Sequence, residues 1–313
     1  MKRAFVFPGQ GSQAPGMGRA LAEAFPMARL LFQEVDDALS QHLSRLMFEG
    51  PESELTLTEN AQPALLAASL AVIRVLEAEA GFDIARHVAY VAGHSLGEYS
   101  ALAAARAVSV ADAARLVKRR GQAMQKAVPV GEGAMAALLG LEIEAARDIA
   151  EAAAQGGICA VANDNCPGQI VVSGHADAVV RAVSIAAERG SRRSIMLPVS
   201  APFHCPLMQP AAEMMAEALA EASFAPPLVP LVANVTAAPT QDVDEIKELL
   251  IEQVTRMVRW RETVLLFAAN EVEEVVETGV GRVLAGLVRR IDRELAVVSV
   301  GAPAEVEELM KRL

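Results

Sequence analysis

Cysteine is scarce in this chain and follows no pattern. Cys159, Cys166 and Cys205 are odd in number and lack C-x-x-C spacing. Neither a disulfide framework nor a zinc site is expected, and all three read as reduced thiols. Aromatic residues make up only 4% of a chain that is 53% hydrophobic. With alanine abundant, that mix predicts closely packed helices. Long apolar runs are also missing. The longest near the front, residues 63–73, stops at Arg74, well short of the roughly 18 residues of a membrane span. Met1-Lys2-Arg3 is followed by four apolar residues before Pro8, too few for a signal-peptide core. The expectation is a soluble, cytoplasmic chain with no membrane partner. Positive charge is in deficit, 28 Lys and Arg against 39 Asp and Glu for a net charge of −11. Nucleic acid is therefore not an expected partner.

What is present reads as α/β. At 313 residues the chain fits one large domain or one and a half. Residues 4–7 read as a buried strand, and helical segments then run to about Asp83, with breaks expected near Pro26, Gly50-Pro51 and Pro63. A strand over 88–92 precedes a helix-forming segment, and a second helix is expected over Val110–Ala127, closed by Pro129 and Gly131. Strand 135–139, helix 143–155, strands 158–162 and 169–173, helix 176–190 and strand 194–197 then follow in the order β-α-β-β-α-β. That is the ferredoxin-like pattern, complete within about seventy residues. It predicts an insert over 130–198 in a larger parallel-sheet domain made of 1–129 and 199–313. In the last part, strands are expected at 230–234, 274–277 and 295–300, with a helix over 243–254.

The segment Gly93-His94-Ser95-Leu96-Gly97-Glu98 sits between a strand and a helix. That order is the setting of a nucleophile elbow, in which a serine occupies a sharp turn with glycines two residues either side. The following helix turns N–H groups and its positive dipole end toward the serine, which favours an oxyanion there. The alternative is an ordinary glycine-rich turn with a serine near a helix N-cap. A nucleophilic serine needs a base within hydrogen-bond reach. Of five histidines, His42 and His87 lie in polar or edge contexts, and His175 heads a helix. His94 adjoins Ser95 and should point away from it. His204 lies in Pro198-Val199-Ser200-Ala201-Pro202-Phe203-His204-Cys205-Pro206, a sparsely charged loop stiffened by proline. It is the candidate base, or else a satisfied loop histidine.

Arg120 falls on the apolar face of the Val110–Ala127 helix with Ala113, Leu116, Val117 and Met124. An unpaired guanidinium there is costly, so a carboxylate partner is expected, structural or belonging to a substrate. Arginine grips a carboxylate with two N–H groups where lysine cannot. The front loop Gly9-x-Gly11-x-x-Ala14 loosely matches a dinucleotide fingerprint. However, Pro15 and Gly16 follow at once, and Glu34, Asp36 and Asp37 lie in an amphipathic helical pattern, which weighs against a nucleotide. Such a loop can instead offer a backbone N–H to an oxyanion.

Five ordered motifs together resemble the malonyl-CoA:acyl-carrier-protein transacylase family of bacterial fatty acid synthesis. They are Phe7-Pro8-Gly9-Gln10-Gly11-Ser12-Gln13, Gly93 to Tyr99, Arg120-Gly121-x-x-Met124-Gln125, Asn165-x-Pro167-Gly168-Gln169-Ile170-Val171-x-Ser173-Gly174 and Phe203-His204-Cys205-Pro206-Leu207-Met208. The resemblance spans nearly the whole chain and implies an α/β-hydrolase-like core with a ferredoxin-like insert. It implies that Ser95 attacks the malonyl thioester while His204 takes its proton, and that the backbone N–H groups of Gln10 and Leu96 hold the oxyanion. Arg120 would bind the malonyl carboxylate. CoA would leave and the phosphopantetheine thiol of holo acyl carrier protein enter, in a ping-pong cycle. Malonyl-CoA is then the substrate, with no metal or bound cofactor implied.

Two positions depart from some relatives. Arg259 precedes Trp260 where glutamine is common, and its backbone carbonyl is expected to orient His204. Phe203 stands where some relatives carry serine, and its bulk is expected to reject an α-methyl branch. The acidic carrier protein needs a cationic landing site, for which Arg189, Arg192 and Arg193 are candidates and Lys118, Arg119 and Lys126 a second patch. A serine esterase or thioesterase using the same Ser95–His204 pair, a non-catalytic scaffold and service in a polyketide pathway remain alternatives.

Overall fold

The structure, a computed structural model, describes residues 1–313. Ten strands occur along the chain: β1 (Arg3–Phe7), β2 (Tyr90–Gly93), β3 (Gly133–Leu139), β4 (Cys159–Cys166), β5 (Gln169–His175), β6 (Arg193–Met196), β7 (Leu231–Val232), β8 (Pro239–Thr240), β9 (Glu274–Thr278) and β10 (Ala296–Val300). They form two sheets, one of six strands in the order β10-β9-β1-β2-β7-β8 and one of four in the order β4-β5-β3-β6. In the larger sheet every pairing is parallel except β7 with β8. The β1 strand is buried along its whole length, as a strand covered on both faces by helices should be, and after Arg3, which pairs with Glu274, it reads as an unbroken apolar run.

This arrangement gathers loops at one edge. Phe7 pairs with Gly93 and Val91 with Leu231, so β1, β2 and β7 end side by side. Their exits carry Gln10, Ser95 and Asn234. A crevice beyond the carboxyl ends of parallel strands is where α/β sheets place their ligands.

The helix Thr58–Ala80 runs through the core with most of its residues buried. The break expected at Pro63 does not occur. Pro63 lies in the second turn, so its missing N–H and its ring affect only the Glu59 carbonyl at the helix's own start. By length and composition alone this helix could cross a membrane, but 83% of its most apolar window is buried inside the protein. Helices not foreseen from the sequence are Gln209–Glu221, Trp260–Ala269, Val283–Ile291 and Pro303–Met310.

The smaller sheet is antiparallel throughout, and the helices Ile143–Ala154 and Ala176–Glu188 supply much of its separate apolar core. Its β4 strand runs four residues past the expected end at 162. The extension bridges to the rest of the chain, since Val258 donates to the Ala162 carbonyl at 2.9 Å and Asp164 to the Val258 carbonyl at 3.0 Å. The buried Asp164 also pairs with Arg261 at 2.9 Å. These links tie the small sheet to the segment leading into helix Trp260–Ala269.

Candidate active site

The turn after β2 is tight enough to demand both glycines. A Cβ on Gly93 would come within 1.8 Å of the Gly97 carbonyl carbon, and one on Gly97 within 2.2 Å of the Phe7 carbonyl oxygen. Ser95 itself has φ of 55°, the left-handed region that non-glycine residues rarely occupy. Asn234, at the exit of β7, clamps this turn. Its Oδ1 accepts from the Ser95 N–H at 2.8 Å and its Nδ2 donates to the Gly93 carbonyl at 2.6 Å.

Ser95 Oγ lies 2.8 Å from His204 Nε2. His204 Nδ1 lies 2.7 Å from the Gln253 main-chain oxygen. A carbonyl can only accept, so Nδ1 carries the proton and Nε2 is left to accept from Ser95. Burial, and after it the Arg120 guanidinium, push the His204 pKa down to about 3. The imidazole is therefore neutral and basic in form at neutral pH.

The orienting carbonyl is not that of Arg259. The Arg259 oxygen opens the helix Trp260–Ala269, accepting from the Thr263 N–H at 3.1 Å and its hydroxyl at 3.2 Å. Its side chain pairs with Glu262 at 2.5 Å. Gln253 instead closes the helix Val243–Gln253, and the last carbonyls of a helix have no partner within it. That carbonyl sits at the negative end of the helix dipole, which suits the imidazole N–H it receives.

Arg120 is 1% exposed. Its Nη1 donates to Gln62 Oε1 at 3.0 Å, and its Nη2 to Gln253 Oε1 at 2.8 Å and to Ser95 Oγ at 3.1 Å. The carboxylate partner expected from the sequence is absent from this set: two amides and a hydroxyl hold the guanidinium, and its buried Nε has no partner. The charge is offset indirectly. The buried Glu98 binds the Gln253 amide, which binds Arg120. Burial pushes the Glu98 pKa up to about 7, opposed by its Gln253 and Asn234 donors and by Arg120.

Ser95, His204, Arg120 and Gln62 line one cleft of about 610 Å³. Gln10 and Leu96 lie on its rim, and neither backbone N–H donates to an acceptor of the chain. Phe203, Met135, Leu197 and Val199 form an apolar wall. Gly11 and Gln13 of the front loop line the same cleft. No helix opens on that loop until Arg19, and Glu34, Asp36 and Asp37 ride the helix Pro26–Leu39, so the loop lacks the parts that hold a dinucleotide. His94 turns to Asn165, 2.9 Å from its Nε2, and packs on Trp260.

Arg189, Arg192 and Arg193 are exposed and form no ion pair in the chain. They run from the end of the helix Ala176–Glu188 to the first residue of β6, whose exit residue Leu197 reaches the cleft. The second basic patch is largely neutralised. Lys118 pairs with Glu59 at 3.4 Å, and Arg119 with Glu221 at 3.3 Å and Glu217 at 3.7 Å. The clamping residues Gln62, Asn234 and Gln253 carry no sequence signal, because an isolated amide at a strand or helix end resembles any polar residue there.

A serine hydroxyl bonded to a neutral imidazole, two free N–H groups and a buried cation make an arrangement suited to acyl transfer through a serine ester. The comparisons agree with that chemistry. The family described as acyl transferase domain matches residues 4–279. The malonyl CoA-acyl carrier protein transacylase of Bacillus subtilis (strain 168) is 46% identical over 313 residues, covering 100% of this chain and 97% of its own. The crystal structure of an acyl-carrier-protein-S-malonyltransferase from Bartonella henselae superposes with a TM-score of 0.98 at 53% identity, covering 100% of this chain and 99% of its own. A malonyl-transacylase solved in complex with a holo type II polyketide acyl-carrier protein superposes with a TM-score of 0.96 at 42% identity, covering 100% of each chain. The chain belongs to the acyl transferase family and, within it, to the malonyl CoA-acyl carrier protein transacylases.

Proposed function

We infer that this chain moves a malonyl group from malonyl-CoA to the phosphopantetheine thiol of holo acyl carrier protein, supplying units for fatty acid synthesis. One observation carries the reading beyond a generic esterase: a fully buried arginine, without a carboxylate partner, within 3.1 Å of the nucleophile. A malonyl group brings the missing carboxylate. An acetyl group does not, and leaves the cation unpaired at a cost.

In this reading Ser95 Oγ attacks the thioester carbonyl and its proton passes to His204 Nε2. The N–H groups of Gln10 and Leu96 receive the developing oxyanion. Collapse releases CoA, whose sulfur takes the proton from His204. The carrier's thiol then enters, gives its proton to His204 and displaces Ser95 by the same steps reversed. Gln253 orients the imidazole through its carbonyl, and Phe203 narrows the acyl pocket against an α-methyl branch. Arg189, Arg192 and Arg193 meet the acidic carrier protein. No step calls for a metal or redox cofactor.

The same proposal divides the chain into an α/β-hydrolase-like domain, 1–129 and 199–313, and a ferredoxin-like insert, 130–198. The strand order β4-β5-β3-β6 and the two helices of the small sheet support the second label. A cytoplasmic location fits three free thiols. Intact-protein mass after mixing with malonyl-CoA tests the function. The wild type should gain one malonyl group and lose it to holo carrier protein, Ser95→Ala should gain none, and acetyl-CoA should load poorly. Rapid CoA release with no adduct and no transfer would instead mark a hydrolase.

A further inference from the structure

Glu98 stands one turn beyond Ser95, on the helix Gly97–Ala104, and is 1% exposed. It makes no direct ion pair. Its Oε1 accepts from the Asn234 N–H at 3.1 Å, and its Oε2 accepts from the Gln253 side-chain amide. Each of those residues is itself a clamp. Asn234 holds the Ser95 N–H and the Gly93 carbonyl. Gln253 donates through Nε2 to the Ser95 carbonyl at 2.9 Å and accepts from Arg120 through Oε1.

We propose that Glu98 is a positioning residue for acyl selectivity: its carboxylate fixes which way the Gln253 amide faces, and so aims the Arg120 guanidinium at the carboxylate of the incoming acyl group. The inference rests on the reading of Arg120 as the malonyl grip. A primary amide has one end that donates and one that accepts. Nε2 of Gln253 sits between two acceptors, Glu98 and the Ser95 carbonyl, while Oε1 faces a cation. Flipping the amide would set oxygen against oxygen on one side and N–H against N–H on the other. In its ionised form the acid also offsets the buried guanidinium through an intervening amide. It offsets the charge without occupying the N–H groups that a substrate carboxylate needs, and Arg120 Nε stays unpartnered.

Both Glu98 oxygens face donors, so the site suits a carboxylate and not its amide. A glutamine at 98 offers one acceptor and one donor to two donors, and whichever way it turns, either the Asn234 N–H or the Gln253 amide loses its partner. An aspartate keeps the charge but falls one methylene short of spanning both.

The test compares kcat/KM for serine loading from malonyl-CoA and from acetyl-CoA, with melting curves in parallel, in the full chain. Wild-type loading is measured first, and failure to load malonyl would overturn the transfer reading itself. Given loading, Glu98→Gln should lower the malonyl-to-acetyl ratio about tenfold, through the malonyl arm. An equal loss with both thioesters, or an unchanged ratio, overturns the proposal. If Glu98→Gln does not fold, Glu98→Asp takes its place: a lowered ratio supports the proposal and a wild-type ratio overturns it.

Discussion

Arg120 and the Arg189–Arg192–Arg193 cluster place the same side chain in opposite surroundings. Arg120 is buried, held by two amides, and touches the nucleophile. The cluster is exposed and unpaired at the far end of β6. A buried charge interacts in a poorly screened medium and must be satisfied locally, which suits it to the discrimination between acyl groups proposed for it. An exposed charge is screened within about 10 Å by salt and mainly steers encounters. Under the proposed function, one chemistry thus serves selectivity inside the cleft and attraction outside it.

The sharpest way to break this contrast is Arg120→Ala. It should cut loading from malonyl-CoA by about a hundredfold, the worth of a charge-assisted pair out of water, and leave acetyl loading much less affected. Steady-state kinetics with the two thioesters would show it, and an equal fall in both would erase the distinction between the two arginine settings.

A smaller effect concerns the base beside Arg120. His204 is held near a pKa of about 3 against an ordinary 6.5. Between those values the unfolded chain takes a proton that the folded one refuses, so stability falls as pH drops below 6.5. From pH 7 to pH 5 the wild type should lose about 2 kcal/mol more than His204→Gln, which lacks the titrating group. Urea unfolding at both pH values measures this, and parallel losses in the two proteins would contradict a buried neutral imidazole.

The smallest expected effect lies outside the cleft. Charge reversal at Arg192 and Arg193 together should raise the apparent KM for carrier protein several-fold at low salt and converge with wild type at high salt. Loading from malonyl-CoA should not change. An equal loss in both half-reactions would remove the cluster from the partner surface.

Local chemistry was legible where neighbours in sequence are neighbours in space. The elbow shows as glycine, serine, glycine between a strand and a helix, and the close approaches at Gly93 and Gly97 explain that spacing. Arg120 stands out because helical periodicity alone puts it on a buried face. The alternation of strands and helices over 133–196 follows the same logic. Contacts between distant segments were not legible. Nothing local distinguishes the Gln253 carbonyl from that of Arg259. What separates them is that one ends a helix while the other begins one. Lys118 and Arg119 read as a free patch until the fold sets Glu59, Glu217 and Glu221 beside them.

The sequence by itself determined the α/β class, the turn that displays Ser95 and the faces of its helices, because periodicity and steric exclusion act within a few residues. Only the tertiary structure decided what surrounds the reacting groups. The carbonyl behind His204, the amides around Arg120 and the acid behind those amides come from segments far apart in the chain. Each is paired because a buried polar group without a partner is costly, and the partner is whichever group the packing brings within reach.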